Sequence, residues 1–226
     1  MTNTPILNVR CMTDDHRAMR EELRRAEIDL KDQRERVAAL RRRLPENPVT
    51  QRYAFTIGSV GSTDIGRDVD LADLFKSREK PLMVYHFMYR PDDEAPCPMC
   101  TMWMDGFNGV AAHVAQRADM VVVAKAPLDR LRAWAEGRGW RGLRLASSHG
   151  TSFNRDFGME SDDGAQWPGV SVFVKKSDRG VAHVYTGSAL LGDGNFRGMD
   201  QLNPVWNIFD LTPEGRGEFM PQLAYQ

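Results

Sequence analysis

The sequence has 226 residues, of which 42% are hydrophobic and 27% charged, with 30 Lys and Arg residues against 31 Asp and Glu residues. These values are typical of one globular domain, or of a domain with an added arm, and exclude a mainly disordered or fibrous chain. The net charge of -1 gives no general reason to expect nucleic acid or an anionic membrane as partner. Neither a membrane-spanning run nor a secretory signal is visible, so we expect a cytoplasmic protein.

The segment from residue 14 to residue 44 contains no Gly or Pro and predicts one long helix. Thr13 is the expected N-cap, and the helix is expected to end before Pro45. Its apolar residues follow a heptad pattern: Met19, Leu23, Ala26, Leu30, Val37, Leu40 and Leu44. We assign residues 1–48 to an N-terminal helical arm and residues 49–226 to the main domain. The heptad pattern favours packing of the arm on its own domain or on a second copy of the chain, which makes a homo-oligomer through this helix one expectation.

Beyond the arm, short apolar runs alternate with helical ones. Strands are predicted over Tyr53–Ile57, Leu82–Tyr89, Met120–Ala124, Leu143–Ser147, Val170–Lys175 and Val181–Thr186. Helical segments are predicted over Leu71–Phe75, from Cys97 to about Arg117, from Pro127 to about Glu136, over Ser152–Phe157 and over Met199–Phe209. Ser177–Gly180 indicates a hairpin turn and Leu190–Gly198 a Gly-rich loop. Strands joined through a helix lie parallel and a hairpin adds antiparallel pairs, so we expect an α/β sandwich. Its mixed central sheet, of about four core strands flanked by helices, would be thioredoxin-like.

The motif Cys97–Pro98–Met99–Cys100 follows the first core strand and opens the next helix. In this position the free backbone N–H groups and the positive end of the helix dipole favour a thiolate on Cys97. Cys97 is therefore the candidate nucleophile, and Cys100, shielded within the first turn, is the candidate resolving thiol. The acidic residues Asp92, Asp93 and Glu94 would raise the pKa of a nearby thiol, unless Arg90 counters them.

A metal site and a structural pair without chemistry are the alternative interpretations of the two cysteines. Structural zinc requires two further ligands, and the sequence offers no second cysteine pair. Met99, Met102 and Met104, with His86 on the preceding strand, are ligand types that suit Cu(I), but Met at helical spacing is more typical of core packing. We expect neither a metal nor an organic cofactor.

Two further residues are candidates for substrate docking. Pro168 precedes the strand Val170–Lys175, where thioredoxin-like folds hold a cis-proline that faces the dithiol. We favour a cis-proline here on the fold alone, and a trans proline that opens the strand is the alternative. Trp103, three residues after Cys100, is interpreted as a core residue or as a wall of the substrate pocket. His86, His149 and His183 are interpreted as hydrogen-bonded structural groups.

A series of motifs resembles one known family along the chain from about residue 20 to the C-terminus. In order, they are LPENPVTQRYAF, LADLF, YHFMYRP, CPMC, APLDRL, SSHGTSFNRDFG, PGVSVF, HVYTG and FDLTPEGR. The sequence is similar to domain-of-unknown-function family 899, whose members are described as predicted thioredoxin-like dithiol–disulfide oxidoreductases. The resemblance implies a thioredoxin-like fold with Cys97 and Cys100 at the redox centre, and it supplies no substrate.

The sequence therefore predicts a thiol–disulfide oxidoreductase that acts on a protein or small-molecule disulfide. A peroxiredoxin-like thiol peroxidase is the nearest alternative, because residues 143–158 resemble an insertion of peroxiredoxin relatives. Peroxiredoxins place Thr or Ser three residues before the attacking cysteine, whereas Glu94 stands there before Cys97. A non-enzymatic module that binds Zn or Cu, or that acts by protein interaction, is the remaining alternative.

Overall fold

The computed structural model describes residues 12–176 and 180–224. The chain divides into two compact units, Met1–Leu44 and Pro45–Gln226. This boundary lies four residues before the predicted one. The difference arises because Asn47 and Pro48 pair with the main sheet and thus belong to the second unit.

The first unit contains helix α1 (Asp14–Arg41). The hydroxyl of Thr13 accepts a hydrogen bond from the His16 N–H at 3.2 Å, which confirms the predicted N-cap. Asp14 and Asp15 lie in the first turn and Arg41 in the last, where their charges complement the helix dipole. No residue between 14 and 41 is buried, and Met19 in the heptad pattern is 72% exposed. The apolar positions of α1 therefore form an uncovered stripe.

The second unit combines strands and helices in the predicted order. Its strands are β1 (Asn47–Pro48), β2 (Ala54–Ile57), β3 (Arg67–Asp70), β4 (Leu82–His86), β5 (Asp119–Ala124), β6 (Leu145–Ser147), β7 (Gly169–Lys175) and β8 (Val181–Ser188). Its helices are α2 (Pro98–Val114), α3 (Leu128–Arg138), α4 (Phe153–Asp156) and α5 (Pro204–Phe209), with short 3₁₀ turns over Leu71–Leu74 and Asp200–Leu202. Among the residues described, no helix is both long and apolar enough to cross a membrane.

All eight described strands form one mixed sheet in the order β1-β8-β7-β4-β5-β6-β2-β3. The pairs β4–β5 and β5–β6 are parallel, and β7 pairs antiparallel with both β4 and β8. This confirms the predicted α/β fold with a mixed sheet, to which the structure adds two strands beyond the six predicted. The prediction missed β1, which is a two-residue edge strand containing Pro, and β3, whose sequence RDVD has a single apolar residue.

The sheet separates two hydrophobic clusters, because successive residues of its central strands point to opposite faces. All six residues of β5 are buried, and the run Met120–Ala124 within it is continuously apolar, as expected of a strand covered on both faces. On one face, α2 and α3 cover a cluster that includes Tyr85, Phe87 and Trp103. On the other face, the cluster contains Phe55, Val84 and Phe153. Cys97 and Cys100 belong to the cluster on the first face.

The C-terminal helix is shorter than the predicted segment Met199–Phe209. Pro204 begins α5, and the side chain of Asn203 caps it by accepting a hydrogen bond from the Val205 N–H at 2.9 Å. Proline cannot continue a preceding helix without losing a hydrogen bond, so the segment divides into a 3₁₀ turn and α5. Of the predicted hairpin turn Ser177–Gly180, the first three residues lie outside the described residues.

Candidate dithiol site

The two cysteines of the CPMC motif lie at the start of α2, Cys97 immediately before the helix and Cys100 within its first turn. Cys97 is the N-cap and Pro98 occupies the first helical position, as predicted. The Cys97 N–H donates to the Met88 carbonyl at 3.1 Å, and the Cys97 carbonyl accepts from the Thr101 N–H at 3.0 Å. Both thiols are free; Cys97 is half-buried and Cys100 is buried. The site therefore presents one accessible sulfur and one enclosed sulfur at the start of a helix.

Three hydrogen-bond donors converge on the sulfur of Cys97. The thiol of Cys100 is the strongest of them, and the backbone N–H groups of Cys100 and Met99 are the other two. They lower the pKa of Cys97 from 9.0 to about 6, although burial acts in the opposite direction. With this pKa, about nine tenths of Cys97 is thiolate at pH 7. The predicted activation of Cys97 thus has a physical basis in its immediate surroundings.

Cys100 has the opposite electrostatic character. Its pKa is raised well above 9.0, first because its thiol donates to Cys97, and further because it is buried beside the Cys97 charge. Two groups act in the other direction, namely the hydroxyl of Tyr85 and the backbone N–H of Met88, which both form hydrogen bonds with the Cys100 sulfur. In the reduced state the negative charge therefore lies on Cys97 and the proton on Cys100.

The acidic loop before the motif is neutralised locally. Asp93 accepts from the backbone N–H of Arg90 at 2.8 Å and from its guanidinium at 2.7 Å. The guanidinium of Arg130 donates to the carbonyls of Pro91 and Asp93 and lies over the Tyr89 ring. Burial would raise the pKa of Asp93, but the hydrogen bonds and charge of Arg90 hold it below its ordinary value. The predicted opposition between acidic residues and Arg90 is thus resolved in favour of Arg90.

A cavity of about 280 Å³ lies beside the buried thiol. Cys100 and Tyr85 line it together with apolar side chains from α2 and from the C-terminal segment, which include Met99, Trp103, Met199 and Trp206. Arg216 and Asp200 form its polar side and make an ion pair at 2.6 Å. The cavity is therefore a mainly apolar space that borders the buried thiol of Cys100.

Both predicted docking residues line this cavity. Trp103 is 6% exposed, so it is a core residue and a pocket wall at once. Pro168 also faces the cavity, but its peptide bond is trans, since residues 12–176 and 180–224 contain no cis peptide bond. The expectation of a cis-proline is wrong. It rested on the fold alone, whereas an X–Pro bond favours trans by about 0.5–1 kcal/mol unless the surroundings demand otherwise.

The family can be assigned from the sequence as a whole. The profile of a family described as bacterial protein of unknown function (DUF899) matches residues 8–225. The chain belongs to the DUF899 family. This confirms the predicted resemblance and extends it by about twelve residues towards the N-terminus. No curated protein is significantly similar to the chain.

The fold of the DUF899 chain is similar to that of a peroxiredoxin of known structure. A peroxiredoxin crystal structure is similar with a TM-score of 0.50 and 14% identity over 70% of this chain and 95% of that one. The mitochondrial 2-Cys peroxiredoxin of Plasmodium falciparum has a TM-score of 0.48 and 13% identity over 79% and 99%. The exposed lipoprotein thioredoxin of Streptococcus pneumoniae has a TM-score of 0.42 and 12% identity over 66% and 97%. At these identities the likeness concerns the fold.

Two of the histidines, His86 and His183, lie on the sheet face opposite the dithiol. His86 is 1% exposed and its Nε2 lies 2.9 Å from the Ser171 hydroxyl, on the sheet face opposite α2. The hydroxyl of Thr186 joins Ser171 to His183, at 2.7 and 2.8 Å. Burial lowers the pKa of His86 to about 3, with a smaller contribution from His183. These contacts agree with the predicted structural role.

The ligand types considered for a metal are not assembled at one point. Met104, a buried residue of α2, packs on one face of the sheet, whereas His86 packs against Phe153 on the other face. Within the part of the chain that the structure describes, no three His, Cys, Asp or Glu side chains could hold a metal ion.

The sequence reasoning missed the residues that surround Cys100. Tyr85 and the backbone of Met88 bond to its sulfur, and Trp206 and Arg216 close the cavity from the C-terminal segment. Tyr85 has one sequence signal, since it alternates with Phe87 on the strand before the motif and therefore shares the face that α2 covers. Trp206 and Arg216 lie more than one hundred residues after Cys100 and have no comparable signal.

Proposed function

We propose that this DUF899 protein is a dithiol–disulfide oxidoreductase. Cys97 is the nucleophile, Cys100 is the resolving thiol, and Pro168 and Trp103 form part of the surface on which the substrate docks. The proposal is supported chiefly by one observation: the accessible Cys97 sulfur is held as a thiolate within hydrogen-bond reach of a protonated, buried thiol. The thioredoxin-like fold of the chain is consistent with redox chemistry at thiols.

In the proposed reaction, the Cys97 thiolate attacks one sulfur of a disulfide RS–SR′. A bond forms between Cys97 Sγ and RS, the substrate disulfide breaks, and R′S⁻ leaves as the first thiol product. Cys100 then attacks Cys97 Sγ, which forms the Cys97–Cys100 disulfide and releases RS⁻. The substrate gains two electrons and the dithiol loses two, so no organic cofactor or metal takes part.

The partner of this reaction is a disulfide on a protein or a small molecule, and the oxidised enzyme requires a second thiol to return it to the dithiol state. A cytoplasmic location would supply such a reductant and remains a prediction. The direction of electron flow is open to measurement, because the reduction potential of the Cys97–Cys100 pair relative to that of glutathione decides it.

Substitution of each cysteine tests the proposal. Cys97→Ser should abolish reduction of a disulfide substrate, and Cys100→Ser should accumulate the mixed disulfide at Cys97, visible as a mass increase of one substrate thiol. Cys11→Ser is the matched control, because it removes a cysteine outside the CPMC motif and should leave turnover unchanged. Full activity in a Cys97→Ser/Cys100→Ser double variant would refute the proposal.

The alternative activities give different results in parallel measurements. A thiol peroxidase would consume hydroperoxide in stopped-flow mixing with the reduced protein and would form a sulfenic acid at Cys97. A metal-binding module would purify with stoichiometric zinc or copper that is lost in Cys97→Ser. Disulfide reduction in the absence of either signal is the result we expect.

A further inference from the structure

Tyr85 and Cys100 are buried in the same cluster under α2 and line the same cavity, and two hydrogen-bond donors act on the Cys100 thiol. One is the hydroxyl of Tyr85, and the other is the backbone N–H of Met88, two residues beyond the end of β4. Met88 is held against the motif from its other side as well, because its carbonyl accepts the Cys97 N–H at 3.1 Å. The Met88 peptide groups therefore contact both cysteines.

Packing fixes the ring of Tyr85 in this position. Tyr85 is 1% exposed. Its ring packs edge-on against Phe107, with the ring centroids 5.8 Å apart, and lies 6.4 Å from Trp103 between ring centroids. Its pKa is raised well above 10.0, first by burial and then by the two cysteines, so the hydroxyl keeps its proton and acts as a donor. A buried group of this kind favours a negatively charged acceptor.

In the reduced protein these donors face a neutral thiol, since Cys100 is protonated and the charge lies on Cys97. The situation changes when Cys97 enters a mixed disulfide. Its sulfur then carries no charge and no longer accepts a hydrogen bond from the Cys100 thiol. Two of the causes that raise the Cys100 pKa thereby disappear, whereas the donors from Tyr85 and Met88 remain. The surroundings of Cys100 are thus suited to a thiolate at the moment when the reaction needs one.

We propose that Tyr85, together with the Met88 N–H, is a thiolate-binding group for Cys100 that acts in the resolving step. The inference rests on the proposed disulfide exchange at Cys97. Tyr85 contacts a reacting sulfur directly, so it is a catalytic residue of that step rather than a donor to the initial attack.

The proton and the electrons balance as follows. When Cys97 attacks RS–SR′, R′S⁻ leaves with the negative charge of Cys97, and Cys100 then loses its proton to solvent and becomes the thiolate. The Cys100 thiolate, bonded to Tyr85 and Met88, attacks Cys97 Sγ. The new disulfide forms, the bond to RS breaks, and RS⁻ carries the charge into solvent. Tyr85 donates a hydrogen bond throughout and transfers no proton.

The experiment uses 5,5′-dithiobis(2-nitrobenzoate) as the disulfide, mixed in a stopped-flow instrument with the reduced full-length protein carrying Cys11→Ser. The first release of the coloured thiolate reports attack by Cys97, and the second release reports closure by Cys100. Tyr85→Phe removes the hydroxyl and keeps the ring. Tyr53→Phe is the matched control, because the Tyr53 hydroxyl bonds to Asp156 on the other face of the sheet.

We expect Tyr85→Phe to raise the pH midpoint of the second phase by about one unit, since a donor to the charged sulfur is lost. At a pH below the pKa of Cys100, this shift lowers the thiolate fraction of Cys100 about tenfold. The higher pKa also makes the Cys100 thiolate about threefold more nucleophilic, at a Brønsted slope of ~0.4–0.5. The second phase should therefore slow about threefold at pH 7. The first phase, and both phases of Tyr53→Phe, should be unchanged.

An unchanged midpoint and rate for the second phase of Tyr85→Phe, with a normal first phase, would overturn this inference and leave the proposed function intact. Absence of the first phase in the parent protein would overturn both. If Tyr85→Phe does not fold, the parent protein still decides the matter. Burial alone would place the pH midpoint of the second phase of the parent protein above the ordinary thiol pKa of about 8.5. We expect a midpoint below that value.

Discussion

The hydrogen bond between the two thiols is the largest contribution to the low pKa of Cys97, and it can be removed without touching Cys97. Cys100→Ala deletes this donor, whereas Cys100→Ser replaces it with a hydroxyl donor at the same position. A hydrogen bond to a charged group contributes about 1.5–3 kcal/mol, which corresponds to about one to two pKa units. Because Cys97 is only half-buried, water can replace part of the lost bond, and we expect the lower end of that range.

In Cys100→Ala the pKa of Cys97 should therefore rise from about 6 to about 7, and the thiolate fraction at pH 7 should fall from about nine tenths to about one half. The assay is the rate of alkylation by iodoacetamide between pH 4 and pH 10, with the labelled peptide quantified by mass spectrometry. The rate depends on the thiolate, so it increases as the pH rises through the pKa. Cys100→Ser should keep a midpoint near that of the parent. The reasoning is refuted if the alanine variant also titrates at about 6, because the backbone N–H groups alone would then account for the shift.

Two further predictions concern stability and assembly. The pKa of His86 is depressed to about 3 by burial, so between pH 6.5 and about 3 the unfolded chain binds a proton that the folded chain does not. Stability is therefore lost as the pH falls through this range, by about 2 kcal/mol between pH 7 and pH 5. Urea unfolding at the two pH values should show this loss reduced in His86→Gln; equal losses would contradict the assignment. On α1, the double substitution Leu23→Glu/Leu30→Glu within the heptad pattern should lower the mass measured by light scattering. Ile28→Glu, an exposed apolar position outside the pattern, should not, and an unchanged mass for both would exclude association through this stripe.

The part of the site that could be predicted depends on neighbours in sequence. A thiol at an N-cap meets the free N–H groups of the next residues of its own chain, so the CPMC motif and its position before a helix were sufficient to predict the activation of Cys97. The same reasoning explains why the six predicted strands and the helices between them occur in the predicted order. Parallel pairing of β4 and β5 follows from the helix between them, and the antiparallel pairing of β7 and β8 follows from their short connection.

The part that could not be predicted depends on contacts between distant segments. Tyr85 appeared as one more apolar residue of a buried strand, because its hydroxyl gains a role only when α2 folds back over β4. The C-terminal segment contributes Trp206 and Arg216 to the cavity wall, although nothing in its local sequence relates it to Cys100. Pro168 illustrates the reverse error. The fold indicates that Pro168 lies beside the dithiol, and it lines the same cavity as Cys100. The cis conformation expected from the same fold is wrong, because the peptide bond is trans.

The acidic loop shows why charges near a motif in sequence are a poor guide to its chemistry. Asp93 stands four residues before Cys97, yet its charge is paired with Arg90, and Arg130 holds the loop backbone from α3. Asp92 and Glu94 are exposed, so water screens their charges. Cys97, by contrast, has its pKa lowered by hydrogen bonds from Cys100 and Met99. The division of roles between the two thiols therefore follows from the burial and hydrogen bonds of each sulfur. Cys97, at the N-terminus of α2, carries the negative charge, and Cys100, within the first turn, keeps its proton.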